Sequence, residues 1–166
     1  TTAERNVTLP LAHVSMLGRI DGEDELKLIE EKLKLPKLNA VKKDGTRSVS
    51  TVKIPEQPQI EHARQTSFYH FASGQKRPFL LYVNDKEYKV FDSANCDLLT
   101  ADAMAEHMEY YRQQARLRDR HIMASNCSVK KLLSNMDPDF EHAFYWDIGD
   151  EQKKLAQEAY KQAHNL

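Results

Sequence analysis

The chain has 166 residues, a formal net charge of −1, 40% hydrophobic and 30% charged residues, and only five glycines and two cysteines. That is enough apolar material for a core of its own, and the length favours one domain. No apolar run is long enough to cross a membrane, no basic-then-apolar leader is present, and the cysteines form no disulfide framework, so a reducing, cytoplasmic setting is expected.

From the N-terminus, Asn6 to Leu17 carries an apolar, partly β-branched pattern broken by Pro10, which reads as a strand or an edge segment. Asp21-Gly22 then opens a predicted short helix from Glu23 to Leu35. Leu26, Ile29 and Leu33 fall on one helical face, acids fill the first turn, and Pro36 ends it. The turn Asp44-Gly45 leads into a strand expected over Thr46 to Ile54. Pro55-Glu56-Gln57-Pro58 comes next as a linker, so residues 55–65 are the expected subdomain boundary within a single domain of residues 1–166.

The strongest local signal is a hairpin. Pro78 to Val83 and Lys86 to Phe91 are β-prone runs separated by Asn84-Asp85, where Asn84 is expected to take the positive φ of a tight turn. The first run is apolar throughout, so it is placed at the sheet centre with both faces covered. The second alternates, so one of its faces meets solvent. A long helix is predicted over about 100–124, capped by Thr100, with Asp102 at the positive end of its dipole. Met104, Met108, Tyr111, Ala115 and Ile122 form its buried stripe.

A short helix near Cys127 to Met136 comes next, then a break at Asp137-Pro138 and an aromatic segment with Phe140, Phe144, Tyr145 and Trp146. A final helix is predicted from Asp150 to about His164, docking through Leu155, Ala159 and Tyr160. Strand signals gather in the first half and helices in the second, which predicts an α+β fold. Its small antiparallel sheet would comprise the hairpin of about 78–91 plus one or two N-terminal strands, covered by helices.

Charge is unevenly spread. Between Arg112 and Lys131 stand Arg112, Arg116, Arg118, Arg120, Lys130 and Lys131 against the single acid Asp119, while the six acids between Asp137 and Glu151 face no Lys or Arg. A basic helix end beside an aromatic segment suits a protein-interaction module or assembly subunit whose partner carries an acidic patch. Arg112, Arg116, Arg120, Tyr145 and Trp146 are the expected binding residues. Nucleic acid is the alternative ligand for the same helix, placed behind a protein because the chain is not net basic.

The residue types for chemistry are His70, Asp92 and Cys127: a thiol, an imidazole to take its proton, and a carboxylate to fix the imidazole tautomer. The stretch FLLYVNDKEYKVFDS, with a His upstream and a Cys downstream, resembles the ubiquitin-like-protein proteases and the acetyltransferase effectors that share their fold. The likeness covers residues 68 to 130 and implies a cysteine hydrolase or acyltransferase as the alternative function. The family's Gln before the nucleophile and Gly after it are absent, with Ser128 directly after Cys127. His107, His121, His142 and Cys127 have no metal-ligand spacing, no glycine-rich phosphate loop is present, and no cofactor is expected.

Overall fold

The structure, a computed structural model, describes residues 2–11, 13–136, 138–140 and 149–165. The chain divides into two units, Thr1–Gln114 and Ala115–Leu166.

In the first unit, strands β1 (Thr2–Leu11) and β2 (Val14–Glu23) form an antiparallel hairpin. Val7, Leu9 and Leu11 stand opposite Gly18, Met16 and Val14, so one face of the pair is apolar and turns inward. Pro10 is tolerated because β1 is an edge strand of the sheet. Next come β3 (Lys27–Leu33) and a two-residue ladder between β4 (Lys37–Leu38) and β5 (Val49–Ser50). Helix α1 (Ile60–Ala72) crosses to β6 (Arg77–Val83), and β7 (Tyr88–Phe91) completes a five-stranded sheet in the order β1-β2-β3-β6-β7. A 3-10 turn at Asp97–Leu99 leads into α2 (Ala101–Ala124).

The α+β class, the hairpin, the long helix and the C-terminal helix stand as the sequence predicts. The sheet is mixed rather than purely antiparallel, because α1 carries the chain across so that β6 runs parallel to β3, from Lys27↔Arg77 to Leu33↔Val83. The predicted helix from Glu23 to Leu35 is corrected to a loop and strand β3. Leu28, Glu30 and Lys32 point to the buried side with a period of two, but two of those three are charged, and the strand alternation is thereby hidden. The strand expected over Thr46 to Ile54 shrinks to β5, and α1 was not anticipated. Its buried face is built partly from Ala63, Thr66 and Ser67, which leaves little apolar periodicity to read. The linker residues Pro55 to Gln59 and the start of α1 lie within the first unit.

The core of this unit joins Ile20, Leu28, Leu80, Tyr82, Phe91, Leu99 and Met108, each almost fully buried and each worth about 1.5–3 kcal/mol in apolar transfer. β6 is an interior strand between β3 and β7, one place from the centre where it was expected, and only its Pro78, Leu80 and Tyr82 are buried. Phe79, Leu81 and Val83 on its other face are half-buried. The hairpin turn does not use a positive φ at Asn84. Instead the Asn84 side-chain carbonyl accepts from the backbone N–H groups of Lys86 and Glu87, both at 2.8 Å, an Asx turn that reverses the chain without strain.

The second unit contains the end of α2, α3 (Val129–Ser134) and α4 (Asp150–His164). Asn126 and Cys127, at φ 53° and 56°, make the turn between α2 and α3. Ser128 Oγ accepts from the Lys131 N–H to cap α3, so Cys127 lies in the turn and not at the helix start. α4 packs against α3, where Ala163 is buried, and His164 Nε2 donates to the Leu133 carbonyl at 3.1 Å. Leu155, expected in the docking face, is instead 58% exposed. No helix among the described residues is long and apolar enough to cross a membrane.

Candidate active site

Three elements of the first unit converge where β2 and β3 part. These strands form only two ladder pairs, Gly22↔Ile29 and Glu23↔Leu28. The next facing residues would be Asp21 and Glu30, and there the ladder stops. In its place Asp21 Oδ2 accepts the backbone N–H of Glu31 at 2.7 Å, which holds the carboxylate across the gap.

Glu30 lies on the inner face of β3, only 2% exposed. Its Oε1 accepts from Lys32 Nζ at 2.5 Å, the same ammonium donates to Gln65 Oε1 at 2.8 Å, and Gln65 Nε2 donates to Tyr69 Oη at 2.9 Å. Gln65 and Tyr69 stand one turn apart on α1 and so share a face. α1 approaches this closely because position 18 is glycine: a Cβ there would fall 2.6 Å from ring carbons of both Phe68 and Tyr69. His62, a turn before Gln65, places Nδ1 2.6 Å from Tyr82 Oη.

Glu30 Oε2 meets no hydrogen-bond donor, and the Glu30 and Asp21 carboxyls lie close enough to share a hydrogen bond when one of them is protonated. Only one other buried side-chain polar atom among the described residues lacks a hydrogen-bond partner, Arg64 Nε, whose guanidinium stacks 3.8 Å over the Tyr110 ring. Burial raises the Glu30 carboxyl strongly, Lys32 pulls it back, and the neighbouring Asp21 carboxylate adds to the rise, which leaves it at about 7 against an ordinary 4.5. His62 moves the other way, below the usual imidazole range, through burial first and then the charges of Lys32 and Lys34.

A buried carboxylate with one bare oxygen beside a second carboxylate is costly, and packing alone would be served as well by apolar residues of similar size. Carboxyls perturbed in this way gather at functional sites as well as in structural ion-pair networks. Two carboxylates without His or Cys suit a hard cation of the Mg²⁺ class. Such ions take one or two carboxylates and fill their remaining positions with water and substrate phosphate oxygens. No group of three or more His, Cys, Asp or Glu gathers among the described residues, so a closed zinc-type cage is not formed there.

The residues singled out from sequence lie elsewhere. His70 is in the last turn of α1, with Nδ1 2.8 Å from the Lys76 carbonyl. Asp92, just past β7, accepts from the Ala94 N–H at 2.9 Å and from Arg77 at 2.7 Å, and is held below the usual carboxylate range first by the Ala94 bond and then by Arg77. Cys127 is an exposed free thiol and Cys96 a buried one. Arg112, 3.8 Å from Glu109, is exposed, as are Arg116 and Arg120. Phe144, Tyr145, Trp146 and His142 lie outside the described residues. Asp21, Glu30, Lys32, Gln65 and Tyr69 escaped notice in the sequence. The available signal was a Glu and a Lys two apart, on the side of an apolar stretch that should face the core.

The second unit presents a separate feature, a groove of about 540 Å³ lined by Arg118, His121, Ile122, Leu132, Asn135, Met136 and Pro138. In comparisons with known proteins the chain matches no family model, no curated protein and no solved structure.

Proposed function

We propose that this protein hydrolyses phosphodiester bonds of nucleic acid with a divalent cation held by Asp21 and Glu30. The observation that carries the reading is the buried Glu30 Oε2, which meets no donor, beside the Asp21 carboxylate at the opening between β2 and β3. A bound cation of this class would supply Lewis-acid polarisation of a phosphoryl oxygen and make a water more acidic.

The chain's own residues supply the rest. Asp21 is held by the Glu31 N–H through Oδ2, which leaves its second oxygen for the cation and reduces the ordering cost of binding. The Lys32 ammonium, tethered between Glu30 and Gln65, stands where it can meet negative charge that builds on a phosphoryl group. Tyr69 orients Gln65, which in turn fixes Lys32. Lys32 and Lys34 both act on His62, and they are the cations beside the Glu30 and Asp21 carboxylates that would meet a polyanion. Because Glu30 must be ionised to take the cation, activity is expected to rise with pH through about 7.

The test is cleavage of end-labelled single- and double-stranded DNA and RNA with Mg²⁺ or Mn²⁺ and with EDTA, using wild type and Asp21→Asn, Glu30→Gln and Lys32→Ala. Cation-dependent cleavage that falls by about 10²-fold or more in each variant supports the reading. Absence of cation-dependent cleavage on all four substrates, or variants as active as wild type, overturns it.

A second reading concerns the second unit alone: it captures a partner protein through the basic end of α2. The preformed groove beside Arg118 and the excess of Arg and Lys around it favour that role. The cysteine-hydrolase alternative on Cys127, His70 and Asp92 stands on residue types only, and replacing Cys127 with Ser tests it directly.

A further inference from the structure

We propose that the groove between the end of α2 and α3 docks an acidic segment of a partner protein that buries one aliphatic or aromatic side chain. This deepens the partner-binding reading of the second unit and rests on it.

The groove is set by the hydrogen-bonded turn between α2 and α3. Ser125 Oγ donates to the Ile122 carbonyl at 2.7 Å, the Ser128 N–H donates to the Ser125 carbonyl at 3.0 Å, and Asn126 and Cys127 take left-handed conformations between them. Its apolar walls are Ile122, Leu132, Met136 and Pro138, with Arg118, His121 and Asn135 supplying polar groups. At about 540 Å³ it lies within the range of sites that enclose a ligand, and it is roomy enough for one large side chain.

Charge selects the residues that flank that side chain. From Ala115 to Met136 the chain carries Arg116, Arg118, Arg120, Lys130 and Lys131 against Asp119 alone, while in sequence Asp137 and Asp139 flank the lining residue Pro138, so the basic rim lies on the Arg118 side. A buried apolar anchor supplies affinity and a complementary charged rim supplies steering and specificity. A nucleic acid would also answer the charge. However, the walls are aliphatic, and His121 is the single aromatic ring among the lining residues, whereas base-binding surfaces offer successive aromatic platforms.

The experiment is selection of a displayed library of random peptides, about 12 residues long, on the full chain, with polarisation titrations of the enriched peptides at low and high salt. Asn135→Trp fills the groove from an exposed position, Met136→Asp charges its wall and Arg118→Glu reverses its rim, with helicity checked by circular dichroism. The expected result is enrichment of net-negative peptides around one Leu, Phe or Trp. Their affinity should fall at least about tenfold with each variant and with Ala at the anchor. Acidic peptides that bind Asn135→Trp and Met136→Asp as they bind wild type would remove the groove but leave the partner-binding reading. Enrichment of no acidic peptide, or displacement of the peptides by oligonucleotides that bind tighter at the same variants' expense, would remove both.

Discussion

Replacing Glu30 with Gln should make the protein more stable at neutral pH while abolishing the proposed cation-dependent cleavage. The raised carboxyl, from 4.5 to about 7, corresponds to about 3 kcal/mol by which folding disfavours the ionised form. Because the folded value lies above the unfolded one, this contribution is fully favourable below about pH 4.5 and is lost as pH rises through about 7. Glutamine stays neutral throughout, so Glu30→Gln should match wild type near pH 4.5 and exceed it by up to about 3 kcal/mol above pH 7, or roughly 6–12 °C in Tm. His62 and His107 are held below the usual imidazole range, chiefly by burial, and so cost stability as pH falls below about 6.5. Glu23, held at about 2 mainly by its bond to Arg5, contributes above about 4.5 and is lost only in acid. These groups act alike in both proteins, so the difference isolates Glu30. Urea unfolding of the pair in EDTA from about pH 5 to pH 8 measures it. Parallel stability profiles would refute the reasoning, because they would mean that the carboxylate is not held against its own ionisation.

Adding Mg²⁺ at about 100 times its dissociation constant should stabilise wild type by about 2.7 kcal/mol at pH 8, and Asp21→Asn should abolish that gain in a thermal melt. Gly18→Ala drives a methyl to 2.6 Å from the Phe68 and Tyr69 rings, so chemical denaturation should show a loss of about 1–3 kcal/mol. Tyr82→Phe removes the hydroxyl that accepts the Gln59 N–H at 3.2 Å and meets His62 Nδ1 at 2.6 Å, at a cost of about 1–2 kcal/mol by the same measurement. Tyr82 stands opposite Lys32 in the β3–β6 ladder, but among the described residues its hydroxyl bonds only Gln59 and His62, so cation-dependent stabilisation should persist in this variant.

What the sequence determined by itself was local. The hairpin at β6 and β7 was legible because both runs are β-prone and Asn84-Asp85 closes them within a few residues, even though the turn uses the Asn84 side chain and not a positive φ. Helix α2 was legible because Met104, Met108 and Ala115 repeat at helical spacing and are buried. β3 was not, because its inward face is Leu28, Glu30 and Lys32, and reading from hydrophobicity assigns charge to the outside. The same two residues that concealed the strand are those on which the proposed chemistry depends. Only the tertiary structure brings Asp21 across from Glu30, by parting two strands after two pairs, and only the parallel crossover through α1 carries Gln65 and Tyr69 to Lys32 from more than thirty positions along the chain. Periodicity reports which face of an element is buried, but the cost of burying a charge is balanced by partners distant in sequence, and those are set by the fold.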